Sequence, residues 1–384
     1  MTKVAIIGAA DFQCPLILKA KSLGYETHVF AWEEGAVGKA YADYFYPISI
    51  AEKEQILEVC RRIQPQAVCS IGSDLAVITV KYVSEALHLN GNSAATSLQC
   101  TNKYEMRKTL QAGGLPCPGF FVAVKAADLK QAEQLTYPLI VKPTDRSGSR
   151  GITKVANKEE LAAAFAVATD YAFSHSAIIE EYIDGDEYSC ESISFDGRHH
   201  FLALTKKYTT GAPHFIETGH MQPSDIPAAM QPDVVNIIHK ALTVLGIKNS
   251  ASHAEFKITS AGELRIIEIG ARMGGDCIGS NLVEISTGKD FVKMVLDVAL
   301  GKAPDLTVQH APKVAAIQFV FTQADLQQLA YIKQTAPQAL VLQTAMQPIG
   351  SHKIVDSGTR YGHYILACES VQQACTLCGV SVNV

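Results

Sequence analysis

The stretch Ser252-His-Ala-Glu255-Phe-Lys-Ile-Thr-Ser-Ala-Gly262-Glu-Leu-Arg-Ile-Ile-Glu268-Ile-Gly270-Ala-Arg272 decides the reading of this chain. Two runs with strand character flank Ala261-Gly262, a dipeptide suited to a hairpin turn. Folding the chain there pairs 260 with 263, 258 with 265 and 255 with 268. Glu255 and Glu268 then lie opposite each other on one face, with Cβ atoms about 5 Å apart, where like charges repel. A divalent cation between them turns that penalty into a binding site. Oxygen ligands suit Mg2+ or Mn2+, ions often shared with substrate phosphates. The competing reading is two exposed glutamates on an edge hairpin, and the pattern alone leaves both open.

Upstream, Leu139-Ile-Val-Lys142-Pro143-Thr-Asp-Arg-Ser147-Gly148-Ser149-Arg150-Gly151 delivers a lysine on an apolar strand and follows it with a loop of small residues. Backbone N–H groups in such a loop can cradle phosphate oxygens, and the lysine adds a point charge. The Walker pattern GxxxxGK[ST] is absent, and a surface hairpin with a snorkelling lysine fits equally well. Further on, Glu180-Glu181-Tyr182-Ile183-Asp-Gly185-Asp-Glu187 sets acids around a strand end and a glycine turn. By itself this reads as a solvated acidic turn. Asn102-Lys103-Tyr104-Glu105 opens a helix, with Asn102 as its cap and Glu105 expected to answer back. Gly113-Gly114 end that helix, and Pro116 and Pro118 prevent its continuation.

The N-terminal part alternates strand and helix: Lys3–Gly8, Pro15–Leu23, Glu26–Phe30, Ile56–Ile63, Ala67–Ile71. That order implies a parallel sheet with right-handed crossovers, which binds ligands at the carboxyl ends of its strands. The first turn, Gly8-Ala9-Ala10-Asp11, is not GxGxxG, and no acid closes the second strand, so a dinucleotide site is poorly supported. From 120 to 300, strands outnumber helices, as in an α+β region with antiparallel pairing. The expected fold class is α/β and α+β. The expected boundaries are 1–100 for a Rossmann-like domain and 101–305 for a central domain with a lid at about 116–185. Residues 306–384 form a small C-terminal α+β unit packed on it.

Composition bounds the function classes. The chain has 384 residues, 33 basic and 38 acidic, and a formal net charge of -5. That balance argues against a basic nucleic-acid binder. Hydrophobic residues make up 48%, enough for a sizeable core. No apolar run reaches transmembrane length, and MTKVAIIGAADF is a poor signal peptide, so a cytoplasmic location is expected. The ten cysteines read as reduced and mostly buried. Cys375-Thr-Leu-Cys378 is a lone CxxC, and zinc would need two further ligands.

Taken together and in this order, with Lys103 upstream, the three segments resemble the ATP-grasp superfamily of carboxylate–amine ligases over about residues 1–300. Within it the likeness is to amino-acid ligases and to the large chain of carbamoyl phosphate synthetase. The resemblance implies a Rossmann-like N-terminal domain, then a lid and a central antiparallel-sheet domain with ATP between them. It makes Lys103 and Lys142 phosphate contacts. Ser147, Gly148, Ser149 and Gly151 become the loop closing over the phosphates. Glu180, Glu181, Tyr182 and Ile183 become the adenine hinge, read by backbone, and Glu187 the acid on the ribose hydroxyls. Glu255 and Glu268 become the magnesium-bridging acids, in agreement with the register above. Many members carry Asn two residues after the second glutamate, where this chain has Gly270. Arg272 resembles the arginine used on the transferred phosphoryl group or a substrate carboxylate, and a guanidinium fork suits both.

Lys206 to Pro223 is polar and lacks strong periodicity, as functional loops do. With Ala271 to Asp276 it resembles ligases that join amino acids. Glu217 suits a substrate ammonium, His220 a carboxylate or a proton, and Arg360 a reach from the C-terminal unit. The implied activity is an ATP-dependent ligase joining a carboxylate to an amine through an acylphosphate, with ATP and Mg2+ or Mn2+ as cofactors. Small-molecule carboxylate and amine substrates are its expected partners, with no nucleic acid, no membrane and a possible homodimer. The alternatives are a bicarbonate-dependent carboxylase and a nucleotide-binding module without turnover.

Overall fold

A computed structural model describes residues 1–212 and 214–380. Pro213 of the polar loop and residues 381–384 of the C-terminal unit lie outside the described residues. Strands β1 (Lys3–Ile7), β2 (Glu26–Phe30), β3 (Tyr44–Tyr46) and β4 (Ala67–Cys69) form a sheet in the order β3-β2-β1-β4, parallel throughout. Val4, Ala5, Ile6 and Ile7 are all buried, because helices cover both faces of a parallel sheet. After β1, the side chain of Gln13 fills the turn at Gly8: a Cβ there would lie 2.1 Å from Gln13 Nε2. An amide side chain thus sits where a glycine-rich turn would admit a pyrophosphate.

The next strands, β5 (Phe120–Ala123), β6 (Leu139–Pro143), β7 (Thr153–Val155) and β8 (Ala177–Glu181), form a second sheet in the order β5-β8-β6-β7. Asn102 Oδ1 caps the helix Lys103–Ala112, accepting from the N–H groups of Tyr104 and Glu105 at 3.1 Å. Glu105 does not answer back. It pairs with Lys108 at 3.1 Å, one turn along the solvent face.

The third sheet has eight strands: β9 (Asp186–Phe195), β10 (Arg198–Thr209), β11 (Glu217–Gln222), β12 (Ser250–Ile258), β13 (Leu264–Gly270), β14 (Val314–Phe319), β15 (Leu340–Gln343) and β16 (His363–Cys368). Their order is β13-β12-β9-β10-β11-β14-β16-β15. The C-terminal segment is therefore not merely packed on the central domain: β11 pairs with β14, and the sheet runs on through β16 to β15. No helix among the described residues is long and apolar enough to cross a membrane.

The β12–β13 hairpin departs from the expected register near its turn and returns to it where it matters. Gly262, at φ +78°, closes a three-residue loop over 260–262, with Thr259 N–H donating to Glu263 O at 3.0 Å. Ile258 therefore pairs with Leu264, not with Arg265. A bulge at Ile267 then absorbs one residue, and Glu255 pairs with Glu268. Without the bulge, Glu268 would slip by one and face the core. The core face of the hairpin carries Ala254, Phe256, Ile266 and Ile269, packed with Ile238 and Leu242 of the helix Gln231–Val244.

Candidate functional site

A cavity of about 170 Å³ lies between the second sheet and the β12–β13 hairpin. Its wall brings together Lys103, Lys142, Ser147, Gly148, Ser149, Glu180, Glu181, Tyr182, Ile183, Glu187, Glu217, Glu255, Glu268 and Arg272. Three expected residues stand elsewhere. Gly151 packs at the loop's end, where a Cβ would sit 3.0 Å from Tyr171 and 3.1 Å from Pro143. His220 lines an adjoining cavity of about 190 Å³ with Glu217, Asp276 and Ser357. Arg360 stands behind Asp276, gripping it with two hydrogen bonds at 2.9 and 2.6 Å, and its guanidinium lies 3.4 Å from the Phe319 ring centroid.

The end at the second sheet is a chain of compensated charge. Glu180 is buried, and its carboxylate lies between Arg107, at 3.0 Å, and Lys142. Burial pushes Glu180 up, but the two cations outweigh it and hold the carboxyl below its ordinary range. Burial, with Arg107 and Lys103 nearby, lowers Lys142 despite Glu180. Glu181 turns its carboxylate to the N–H groups of Thr136 and Gly119, at 3.0 and 3.3 Å. Tyr182 spends its N–H on Pro138 O at 3.0 Å, and its ring lies 3.6 Å from Lys154 Nζ. At Glu180, Glu181 and Tyr182 the side chains are thus engaged by protein.

The hairpin end is equally compensated. Lys103 Nζ lies 3.0 Å from Glu268 and donates to Arg146 O at 2.6 Å. Lys207 Nζ contacts Glu255, lies 3.2 Å from Glu187 and lies 4.0 Å from Glu217. Burial alone would lower Lys207, yet Glu255, Glu187 and Glu217 carry it well above its ordinary value. Glu255, despite burial, is held well below the carboxylate range by Lys207 and His253. Arg272 makes a two-point pair with Asp74, at 2.8 and 2.9 Å, across 198 residues of chain. That pair explains Gly270. A Cβ there would come within 3.2 Å of Arg272 Cζ and Asp74 Oδ1, so the space for a larger side chain is taken.

The two opposed carboxylates fit a hard divalent ion. Their donor set is oxygen, their register is face to face, and each already draws a cationic side chain. Among the described residues, no group of three or more His, Cys, Asp or Glu side chains could hold a metal. An ion at Glu255 and Glu268 must therefore share its shell with water or substrate, as Mg2+ commonly does.

Sequence reasoning missed several residues of this site. Lys207 had a signal: it stands at the start of the polar stretch Lys206 to Pro223, and pairing that stretch with the strand after Gly185 puts Lys207 opposite Glu187. His253 had one too, two residues before Glu255 and hence on the same strand face. Arg107 lies one turn after Lys103. Asp74 and Glu191 gave no local sign, since their partners lie 198 and 62 residues away.

Comparison with known proteins finds likeness in sequence and in fold. Residues 135–280 match the model of the ATP-grasp domain. The chain carries an ATP-grasp domain. It is 27% identical over 304 residues to the alanine–anticapsin ligase of Bacillus subtilis (strain 168), covering 70% of this chain and 64% of that protein. The first curated relatives are matched over only 50% to 64% of their own length. An L-amino acid ligase from Bacillus licheniformis superposes with a TM-score of 0.82 at 24% identity, covering 98% of this chain and 95% of that one. The N5-carboxyaminoimidazole synthetase from Staphylococcus aureus, solved with ADP, gives 0.78 at 16%, covering 98% and 95%. At these identities the two structures establish the fold alone.

Proposed function

We propose that this ATP-grasp chain is a ligase that joins a carboxylate to an amine, with an amino acid or amino-acid-like molecule on at least one side. The observation that carries the proposal is the meeting of two unlike cavities at Glu255 and Arg272. One has phosphate-binding character, with Lys103, Lys142 and the loop 147–149. The other presents Asp276 and the buried His220, and the two share Glu217. An ammonium suits the acids of the second cavity, and a carboxylate can approach Arg272 between the two.

ATP supplies the phosphoryl group in this scheme, held by the lysines and the lid loop, with adenine at Ile183 and ribose at Glu187. A magnesium ion at Glu255 and Glu268 would supply charge neutralisation on the phosphates. The carboxylate attacks the γ-phosphorus, giving an acylphosphate and ADP. A free carboxylate would have to expel oxide, whereas the acylphosphate expels phosphate when the amine attacks. Lys103, Lys142 and Arg272 position the groups and meet the developing charge. Closure of the loop 147–151 keeps water from the acylphosphate. The division at 1–100, 101–305 and 306–384 is part of this proposal, with the lid at about 116–185.

The test is isotopic. An acid substrate labelled with 18O in its carboxylate transfers one 18O to the released phosphate if an acylphosphate forms, and mass spectrometry reads both phosphate and product. A condensed product with unlabelled phosphate would overturn the acylphosphate step. Turnover supported by bicarbonate alone would overturn the amino-acid reading.

A further inference from the structure

Glu191 stands in the middle of β9 and is fully buried. A bare carboxylate there would be costly. Its partner is His253, directly across the ladder on β12. His253 Nδ1 lies 2.5 Å from Glu191 Oε1, and Ser189 Oγ donates to the same oxygen at 2.9 Å. The other ring nitrogen, Nε2, lies 3.1 Å from Glu255 Oε1. Lys207 Nζ donates to that same Oε1. Among the described residues, the second oxygen of Glu255 has no protein hydrogen-bond partner, while Glu255 lines the cavity. The room for this chain is reserved: a Cβ on Gly274 would lie 2.8 Å from His253 Nδ1 and 3.0 Å from Glu191 Oε2. That Oε2 is buried without any hydrogen bond.

Stability does not account for this arrangement. Apolar residues of similar volume often replace a buried ion pair without loss of stability. What the chain does deliver is orientation: one oxygen of Glu255 is engaged by two donors, and the other is left for a ligand.

We propose that His253, held by Glu191, is a positioning residue for the divalent cation, fixing Glu255 by one oxygen so that the other serves the ion shared with Glu268. The inference rests on the reading of Glu255 and Glu268 as the metal-holding pair. Partners behind a metal ligand are commonly worth 10- to 100-fold in metal affinity.

The probe is Mn2+ in the presence of a non-hydrolysable ATP analogue, with free ion counted by electron paramagnetic resonance. His253→Leu is expected to weaken Mn2+ by about tenfold or more. Binding of ADP in EDTA should stay within about twofold, since His253 contacts no nucleotide group in this account. His253→Gln, which can still donate toward Glu255, is expected to recover most of the loss. If His253→Leu does not fold by circular dichroism, His253→Asn carries the same expectation, because its shorter amide falls short of Glu255. Unchanged Mn2+ affinity in a folded variant, or a glutamine variant as weak as the leucine one, would overturn the inference. Glu268→Gln separates the two readings: if it too leaves Mn2+ affinity unchanged, the metal pair itself is wrong.

Discussion

The two cavities that meet at Glu255 and Arg272 differ in the charges each holds. The first is lined by Lys103 and Lys142 beside several glutamates, and Lys142 is paired with Glu180, and Glu180 with Arg107. The second is lined by Glu217, Asp276 and His220 with Lys207, and Arg360, outside the lining, grips Asp276. Lys103 and Lys142 in the first suit an anion, and Glu217 and Asp276 in the second suit an ammonium, although the chain as a whole is only weakly acidic. The difference teaches that net charge says little about a site, and that the charges lining a cavity decide which ligand is drawn.

The metal-holding pair should break the reaction as a whole. Glu268→Gln and Glu255→Gln are each expected to lower kcat by at least about 100-fold, because loss of the ion they would hold leaves transition-state charge unmet. Steady-state phosphate release would check it. Next in size is the backing of the nucleotide side. Arg107→Leu leaves Glu180 buried with Lys142 alone, and breaking such a network costs about 3 kcal/mol or more. Urea unfolding is the measurement, and a loss below about 1 kcal/mol would show that the end at the second sheet does not depend on that pair.

Two milder substitutions sharpen the contrast. Lys142→Met is expected to raise the KM for ATP about tenfold or more and to leave that of the amino acid nearly unchanged. His220→Gln, in the second cavity alone, is expected to do the reverse. Equal effects of both variants on both substrates would dissolve the distinction between the cavities.

The smallest effect lies outside both. Burial, then His239 and His200, holds His199 down at about 4, so the folded protein keeps it neutral. The unfolded chain takes up the proton first. Stability is therefore full above about pH 6.5 and declines as pH falls from there toward 4. His199 is only half-buried, so the drop in Tm should be modest, and His199→Gln should flatten it. A Tm that rises on acidification through this window would contradict the assignment.

Much of the fold was legible because its signals are local. β2 stands at the bounds expected of it, and the opposed glutamates follow from strand alternation and a glycine turn. The turn itself was misjudged by one residue, and the correct pairing at Glu255 survived because the bulge at Ile267 compensates. Bulges leave no period in the sequence, so that agreement was partly fortunate. The C-terminal strands were read as a separate unit because sheet continuation is a long-range pairing, here between β11 and β14. The residues behind the site were illegible for the same reason. Asp74, Glu191 and Asp276 matter through partners that the sequence places far away.

The central claim is that both cavities serve one reaction. Phosphate release from Mg-ATP, measured with pooled amino acids, with bicarbonate alone and with no acceptor, tests it most directly. The account predicts release that requires amino acids, accompanies a condensed product and disappears in Glu268→Gln. Release that is independent of amino acids, or that persists in Glu268→Gln, would contradict it.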